Sequence, residues 1–498
     1  MAIDLKDYHY WFVVGSQDLY GEETLKDVAE HARIMVSDMS NDPVLPGTLV
    51  LKPTVLTSAG IRRVFEEANA DPSCAGIITW MHTFSPSKMW IAGLSINKKP
   101  LLHLHTQFNR DIPWSTIDMD FMNLNQSAHG DREHGFIHAR MRLPRKVVVG
   151  HWQDPDVRKR IGVWMRAAAA FADGQRAGLV RWGDNMRDVA VTEGDKVEAQ
   201  IQFGWQVQGW GVGDLVERVH AVSDSEVRAL VEEYAQQYDS APEVREEAGQ
   251  KAVREQARFE IAMKAFLDEQ NAAAFTTTFQ DLHGLPQLPG LAAQRLMAKG
   301  YGFGAEGDWK TAMVVRAMKV MGSGLSGGTS FMEDYTYHLE PGREAILGAH
   351  MLEVCPSIAS KKPRIEVHPL SIGNKADPAR LVFDAAPGKA ICTTLVDLGD
   401  RFRMIVNDVE SMKIEHSMPE LPVARALYRP FPNFRDAVEC WILAGGAHHS
   451  VFSTAVDAEY LRDWAEIAGI EFVHIDAHAS PIRLRDELRW SEAYWSGR

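Results

Sequence analysis

Cysteine is scarce in this 498-residue chain. Its four cysteines, Cys74, Cys355, Cys392 and Cys440, lie far apart and form no CxxC pair. That excludes a disulfide framework and a thiolate zinc site. Basic charge is also in short supply. There are 53 Lys and Arg against 67 Asp and Glu, a net charge of −14, and the longest basic run is Arg158-Lys159-Arg160. A nucleic-acid partner would need a basic face, so none is expected. No stretch approaches the ~18 apolar residues of a membrane span. The opening MAIDLKDYHY has no basic segment followed by an apolar one, so no signal peptide is expected and the cytoplasm is the expected compartment. Internal repeats and low-complexity segments are missing as well.

What remains is ordinary globular material. Hydrophobic content of 45% and charged content of 24% supply ample core, and the length calls for two or three domains. In the first third, short apolar runs at 10–15, 47–51, 75–80, 100–104 and 146–150 alternate with helical patterns. In the stretch 22–36, for example, Leu25, Val28, Ala29, Ala32, Met35 and Val36 recur at helical spacing. Strands alternating with helices predict an α/β layer with a parallel sheet, whose functional residues sit at the carboxyl ends of strands. A helix opening at Asp154-Pro155 leads into a second α/β region, with strands expected at 188–192 and 273–279. The segment 223–271, rich in Ala, Glu, Arg and Gln, reads as long surface helices with a solvated charged face. From about 330, short strand-like pieces separated by Gly, Pro and Asp predict a mainly β region ending in two helices.

Several stretches resist a purely structural reading. Glu306 and Asp308 lie in the glycine-rich Y-G-F-G-A-E-G-D-W-K (301–310), just before an apolar helix. Asp308 is placed to cap that helix, whereas Glu306 lies too far out to do so. Gly322, Gly324 and Gly327 have GxGxxG spacing but follow a helix, so the dinucleotide context fails and a flexible loop is expected. Glu333 follows. The stretch 343–356 is expected to be helical, with His350 on the face of Ile346 and Val354 and near Glu353. Finally, W-I-L-A-G-G-A-H-H-S-V-F (441–452) reads as a buried strand, a glycine turn and the pair His448-His449. Divalent metals such as Mn²⁺ take mixed carboxylate and imidazole ligands. These residues therefore suggest a metalloenzyme, with its chemistry open.

Longer strings carry a family resemblance. W-F-V-V-G-S-Q-D-L-Y-G (11–21), H-T-F-S-P-S-K-M-W (82–90), H-T-Q-F-N (105–109), D-M-D-F-M-N-L-N-Q-S-A-H-G (118–130), G-D-N-M-R (183–187), E-G-D-W-K-T-A (306–312), E-V-H-P-L-S-I-G (366–373) and G-G-A-H-H-S (445–450) run collinearly along the chain. Together they resemble the L-arabinose isomerase family. The resemblance implies two Rossmann-like α/β domains with parallel sheets, at 1–176 and 177–327, and a mainly β C-terminal domain with terminal helices at 328–498. It implies an aldose–ketose isomerase interconverting L-arabinose and L-ribulose, and also D-galactose and D-tagatose. Its metal ligands fall on Glu306, Glu333, His350 and His449, holding Mn²⁺, with Co²⁺ or Mg²⁺ as substitutes. Glu306 and Glu333 are the implied acid/base pair. Gln17, Leu19, Met186, Phe279, Ile372 and His448 are expected to contact the sugar. Phe84, Gln126 and His129 are expected to reach it from a neighbouring subunit of a homohexamer, a dimer of trimers. Ser450 stands where the family commonly has Thr, and both carry a hydroxyl.

The chemistry suits paired carboxylates. Moving a carbonyl from C1 to C2 takes a proton from C2 and returns it at C1 through a cis-enediol, while a partner acid protonates the carbonyl oxygen. Two rival readings are a cytoplasmic sugar-binding sensor, which would have no need of paired carboxylates, and a two-His, one-carboxylate iron oxygenase, which would consume O₂.

Overall fold

Five apolar runs in the first third become five parallel strands, in the sheet order Thr48–Leu51, His9–Gly15, Cys74–Met81, Leu101–His105, Lys146–Val149. The Cys74–Met81 strand is buried at every position, as a parallel strand covered on both faces must be. The helix Gly21–Met39 buries Val28, Ala32, Met35 and Val36 of the expected stripe, with Leu25 half-buried and Ala29 exposed, and the helix Ser58–Ala70 buries Ile61, Val64 and Phe65. The computed structural model describes residues 3–370 and 374–496. It divides into an N-terminal unit, Asp4–Ala172 with Arg462–Gly469, and a larger unit, Asp173–Leu461 with Ile470–Arg498.

In the larger unit, a second parallel sheet is ordered Gly302–Ala305, Ala272–Thr277, Gly178–Trp182, Gln206–Trp210. A mainly antiparallel seven-stranded sheet follows, ordered Gly388–Asp397, His449–Ser453, Thr329–His338, Ala345–Ala349, Arg425–Pro430, Phe402–Met412, Glu471–Ile475. Pairing of Gly388–Asp397 with Phe402–Met412 closes it upon itself. The fold is thus two parallel α/β layers plus a mainly β C-terminal region with the helices Ala458–Ala468 and Pro481–Trp495. No helix among the described residues is long and apolar enough to cross a membrane.

Four local expectations are corrected. Residues 441–443 end a helix, Phe434–Leu443, capped by Asn433, rather than forming a strand. A short apolar run does not distinguish a strand from the last turn of a helix. Residues 345–349 form a strand instead of a helix, because two antiparallel neighbours, Thr329–His338 and Arg425–Pro430, take up its backbone groups. The expected strand at 188–192 is a 3₁₀ turn, Ala190–Thr192. The helix Glu247–Glu269 is not merely solvated: one face, including Phe259, Glu260, Met263 and Phe266, is buried.

One histidine of the N-terminal unit makes a pH prediction. His82 is fully buried, stacked on Trp80 with ring centroids 4.6 Å apart, and 2.7 Å from His31 Nδ1. Burial, with His31 adding to it, pushes its imidazole down to about 3. The unfolded chain takes up this proton below about pH 6.5, and the folded chain does so only near 3. Stability is therefore complete above pH 6.5 and falls with pH between those values, by roughly 1 kcal/mol per pH unit from this residue. Urea unfolding followed by fluorescence should show that slope, and His82→Gln should flatten it. An unchanged slope in the variant would rule out this source.

Candidate active site

Sheet register brings the candidate residues of the larger unit together. Glu333 lies in the middle of a strand, directly opposite His449 on one neighbour and Ala349 on the other. His350 follows Ala349 immediately, so one carboxylate sits between two imidazoles. His350 Nε2 is 3.6 Å from Glu333 Oε2. Glu306 arrives from the parallel sheet, one residue past the carboxyl end of Gly302–Ala305, and places Oε2 3.6 Å from His449 Nε2. Its φ of 60° is uncommon for a residue with a Cβ, a strain that tends to persist at functional sites.

The histidine doublet divides its work. The helix ending at Leu443 is followed by Gly445 at φ 85°, in the left-handed region where glycine is favoured. At Gly446 a Cβ would lie 2.3 Å from the Trp441 ring, so no side chain fits. The chain then enters the strand His449–Ser453. His449 is wholly buried, while the side chain of His448 stays 42% exposed with Nε2 3.9 Å from Glu333 Oε1. Ligand atoms of Glu306, His448 and His449 all fall within 4.8 Å of one another. Burial, and then His449, lowers the His448 imidazole below its ordinary value.

Two further carboxylates hold the buried imidazoles. Asp308 Oδ2 lies 3.0 Å from His449 Nδ1, and Glu353 Oε2 lies 2.5 Å from His350 Nδ1. Each fixes one ring nitrogen and leaves Nε2 facing the site, the usual second contact of a metal-binding histidine. Burial opposes charge on His350, but Glu353 followed by Glu333 and Glu306 raises it overall. Burial also opposes charge on Asp308, yet Lys310, His449 and Thr311 hold its carboxyl well below the carboxylate range. Burial raises the Glu333 carboxyl. Phe331 packs edge-on against both imidazoles, at 5.2 and 5.3 Å between centroids.

By sequence, Asp308 is placed as a helix cap and Glu353 near His350 in a helix. Asp308 does cap its helix, accepting from Thr311 N at 3.1 Å, but it also orients His449. Glu353 reaches His350 through a turn rather than along a helix. Phe331 was missed, although its place two residues before Glu333 on one strand puts both on one face.

Two glutamates and two histidines are a donor set suited to a borderline divalent cation. His449 Nε2 is buried and has no hydrogen-bond partner, as a nitrogen reserved for an ion would be. Asp308→Asn retains a capping oxygen but loses the charge on His449. It is expected to weaken metal binding about 10–100-fold, read as the metal concentration giving half-maximal activity. An unchanged constant would deny Asp308 its orienting part.

The remaining expected contacts fall into two groups. In the larger unit, Met186 donates its N–H to the Glu306 carbonyl at 2.9 Å, and Phe279 lies just past the carboxyl end of Ala272–Thr277. Ile372 lies outside the described residues. In the N-terminal unit, Phe84 stacks on His129 at 5.0 Å, and His129 Nδ1 lies 2.8 Å from Gln126 Oε1. Gln126 Nε2 donates to Tyr20 Oη at 2.9 Å, beside Leu19, which is 82% exposed. Gln17 precedes the turn Asp18–Tyr20 that carries Leu19.

Comparison with known proteins agrees with these landmarks. Family models described as the L-arabinose isomerase N-terminal, central and C-terminal domains match residues 4–176, 178–324 and 328–471. The L-arabinose isomerase of Thermotoga neapolitana is 66% identical over 493 residues, 99% of each chain. That of Thermotoga maritima is 65% identical, again over 99% of each chain. That of Geobacillus stearothermophilus is 63% identical over 497 residues, all of both chains. A glucose-galactose binding protein of Geobacillus stearothermophilus aligns at 11% identity over 62% of this chain and 90% of that one. Its TM-score is 0.14, too low to bear on the fold. With identity this high along its whole length, the chain belongs to the L-arabinose isomerase family of enzymes.

Proposed function

We propose that the chain interconverts L-arabinose and L-ribulose in the cytoplasm, and also turns D-galactose into D-tagatose. Support comes from one observation above the others: Glu306 and Glu333 converge with His350 and His449 in a chain of this family. A sugar sensor would have no use for that pair of carboxylates, and an aldose–ketose isomerase needs one.

Glu306, Glu333, His350 and His449 would hold Mn²⁺, with Co²⁺ or Mg²⁺ as substitutes. When bound, the cation polarises the sugar carbonyl and offsets charge developing on its oxygens. The proton transfers belong to the chain. One glutamate takes the proton from C2 and returns it at C1 of the cis-enediol, while the other protonates the carbonyl oxygen at C1 and takes up the proton of the C2 hydroxyl as the ketose carbonyl forms there. Asp308 and Glu353 keep the two imidazoles in place. His448, the more exposed of the pair, contacts the sugar, with Gln17, Leu19, Met186, Phe279 and Ile372 shaping its pocket.

Phe84, Gln126 and His129 would complete the pocket from a neighbouring subunit of a hexamer built as a dimer of trimers. Phe84 stacks on His129, His129 meets Gln126 and Gln126 donates to Tyr20, so the three form one connected group that could be presented to another chain. The deciding experiment measures ketose formed from L-arabinose by metal-stripped protein, with and without Mn²⁺, beside Glu306→Gln. Mn²⁺-dependent L-ribulose that disappears in the variant supports the reading. Sugar binding without product under any divalent metal would overturn it.

A further inference from the structure

The N-terminal unit contains another group of ligating side chains. His103 and His105, two apart on the strand Leu101–His105, project from one face. Asp131, His134 and His138 recur at spacings of three and four along Ser127–Asp131 and Arg132–Arg140, and so share one side. The two faces pack together, with His103 5.2 Å from His134 and 6.0 Å from His138 between ring centroids. Asp131 Oδ2 lies 2.7 Å from His103 Nε2 and contacts His105 Nδ1 as well. One ligand atom from each of His103, His105 and Asp131 lies within 4.8 Å of the other two.

Two features of this group are left unresolved by hydrogen bonding alone. Asp131 is fully buried; it accepts from Met81 N at 3.2 Å, and among the described residues its ion-pair partners are these two histidines and include no lysine or arginine. A buried carboxylate without a compensating charge is costly. Around it, His103 Nδ1, His134 Nδ1 and both nitrogens of His138 are buried without a hydrogen-bond partner. A neutral imidazole always carries one N–H, so His138 leaves a donor unmet. Nothing in the isomerisation calls on these residues.

We propose that His103, His105 and Asp131 form a structural site for a borderline divalent cation such as Zn²⁺ or Co²⁺, tying the strand Leu101–His105 to the end of the helical turn Ser127–Asp131. The ion would neutralise the buried carboxylate, and three protein donors leave a position for water. His105, with its side chain 24% exposed, marks the way in from solvent.

Co²⁺ binding tests the site in the full-length protein. Chelator-stripped wild type and His105→Ala are equilibrated with Co²⁺ and the bound ion counted per chain. The variant is expected to hold one ion fewer and to lose a visible Co²⁺ absorption band. His350→Ala combined with His449→Ala, which removes two of the proposed active-site ligands, is expected to keep that band, so the two sites are read separately. His105→Gln guards against a folding defect and should behave as His105→Ala. Equal Co²⁺ content in wild type and both His105 variants would overturn the proposal and leave a hydrogen-bonded histidine cluster only.

Discussion

Glu333→Gln is expected to lower kcat for L-arabinose isomerisation by about 10³-fold, within the 10²–10⁴-fold range of a positioned acid or base. The substitution preserves shape and one oxygen donor while removing the proton carrier. The backbone there is firmly held, since Glu333 pairs with His449 and Ala349 in the sheet and Asp334 N–H donates to the His448 carbonyl at 3.0 Å. A loss therefore reports chemistry rather than unfolding. The variant should keep the wild-type melting temperature, and its KM should move far less than kcat. Saturating Mn²⁺ separates weakened metal binding from lost proton transfer: recovery of kcat to within about tenfold of wild type at high metal would make Glu333 a ligand only, without an acid/base part.

Glu260→Gln should carry the largest cost in stability, on the order of 3–5 kcal/mol, the usual result of removing one partner from a buried ion pair. Glu260 is 1% exposed and accepts from Arg295 Nε at 2.7 Å, Lys299 Nζ at 2.5 Å and Tyr234 Oη at 2.7 Å. Arg295 is itself 2% exposed and lies over the Tyr234 ring, 4.6 Å from its centroid. Without the carboxylate, the buried guanidinium keeps Glu233, Gln237 and Tyr238 as partners but has a weak amide in place of its buried countercharge. Replacing both partners, Glu260→Met with Arg295→Met, should cost less than the sum of the two single changes, because neither charge is then stranded. Urea unfolding measures both effects. A loss below about 1 kcal/mol for Glu260→Gln would mean that water or Glu233, 2.5 Å from Arg295 Nη2, compensates.

Much of the architecture was legible in the residues. Each parallel strand of the N-terminal unit announced itself as a short apolar run; the three central strands are buried on both faces and have no polar side to show, while the edge strands Thr48–Leu51 and Lys146–Val149 are partly exposed. The glycine turn at 445–446 was legible too, since a left-handed residue and one without room for a Cβ both select glycine. The element before it was not. Trp441, Ile442 and Leu443 suit either a strand or a helix end, and the Asn433 cap that decides the matter lies eight residues upstream of Trp441.

The sequence by itself determined which side chains can do chemistry. Glutamates and histidines set among glycines and apolar residues have few other uses, and the collinear strings named the family. Only the tertiary structure decided how they meet. Glu306, Glu333, His350 and His449 are separated by tens of residues. Their convergence depends on strand register, which sets Glu333 opposite His449 and beside the end of Ala345–Ala349. Register arises from pairing between distant segments, so no local pattern encodes it. For the same reason, the parts of Asp308 and Glu353 were hidden: an acid that caps a helix and an acid that orients an imidazole look alike until the second partner arrives from elsewhere in the chain.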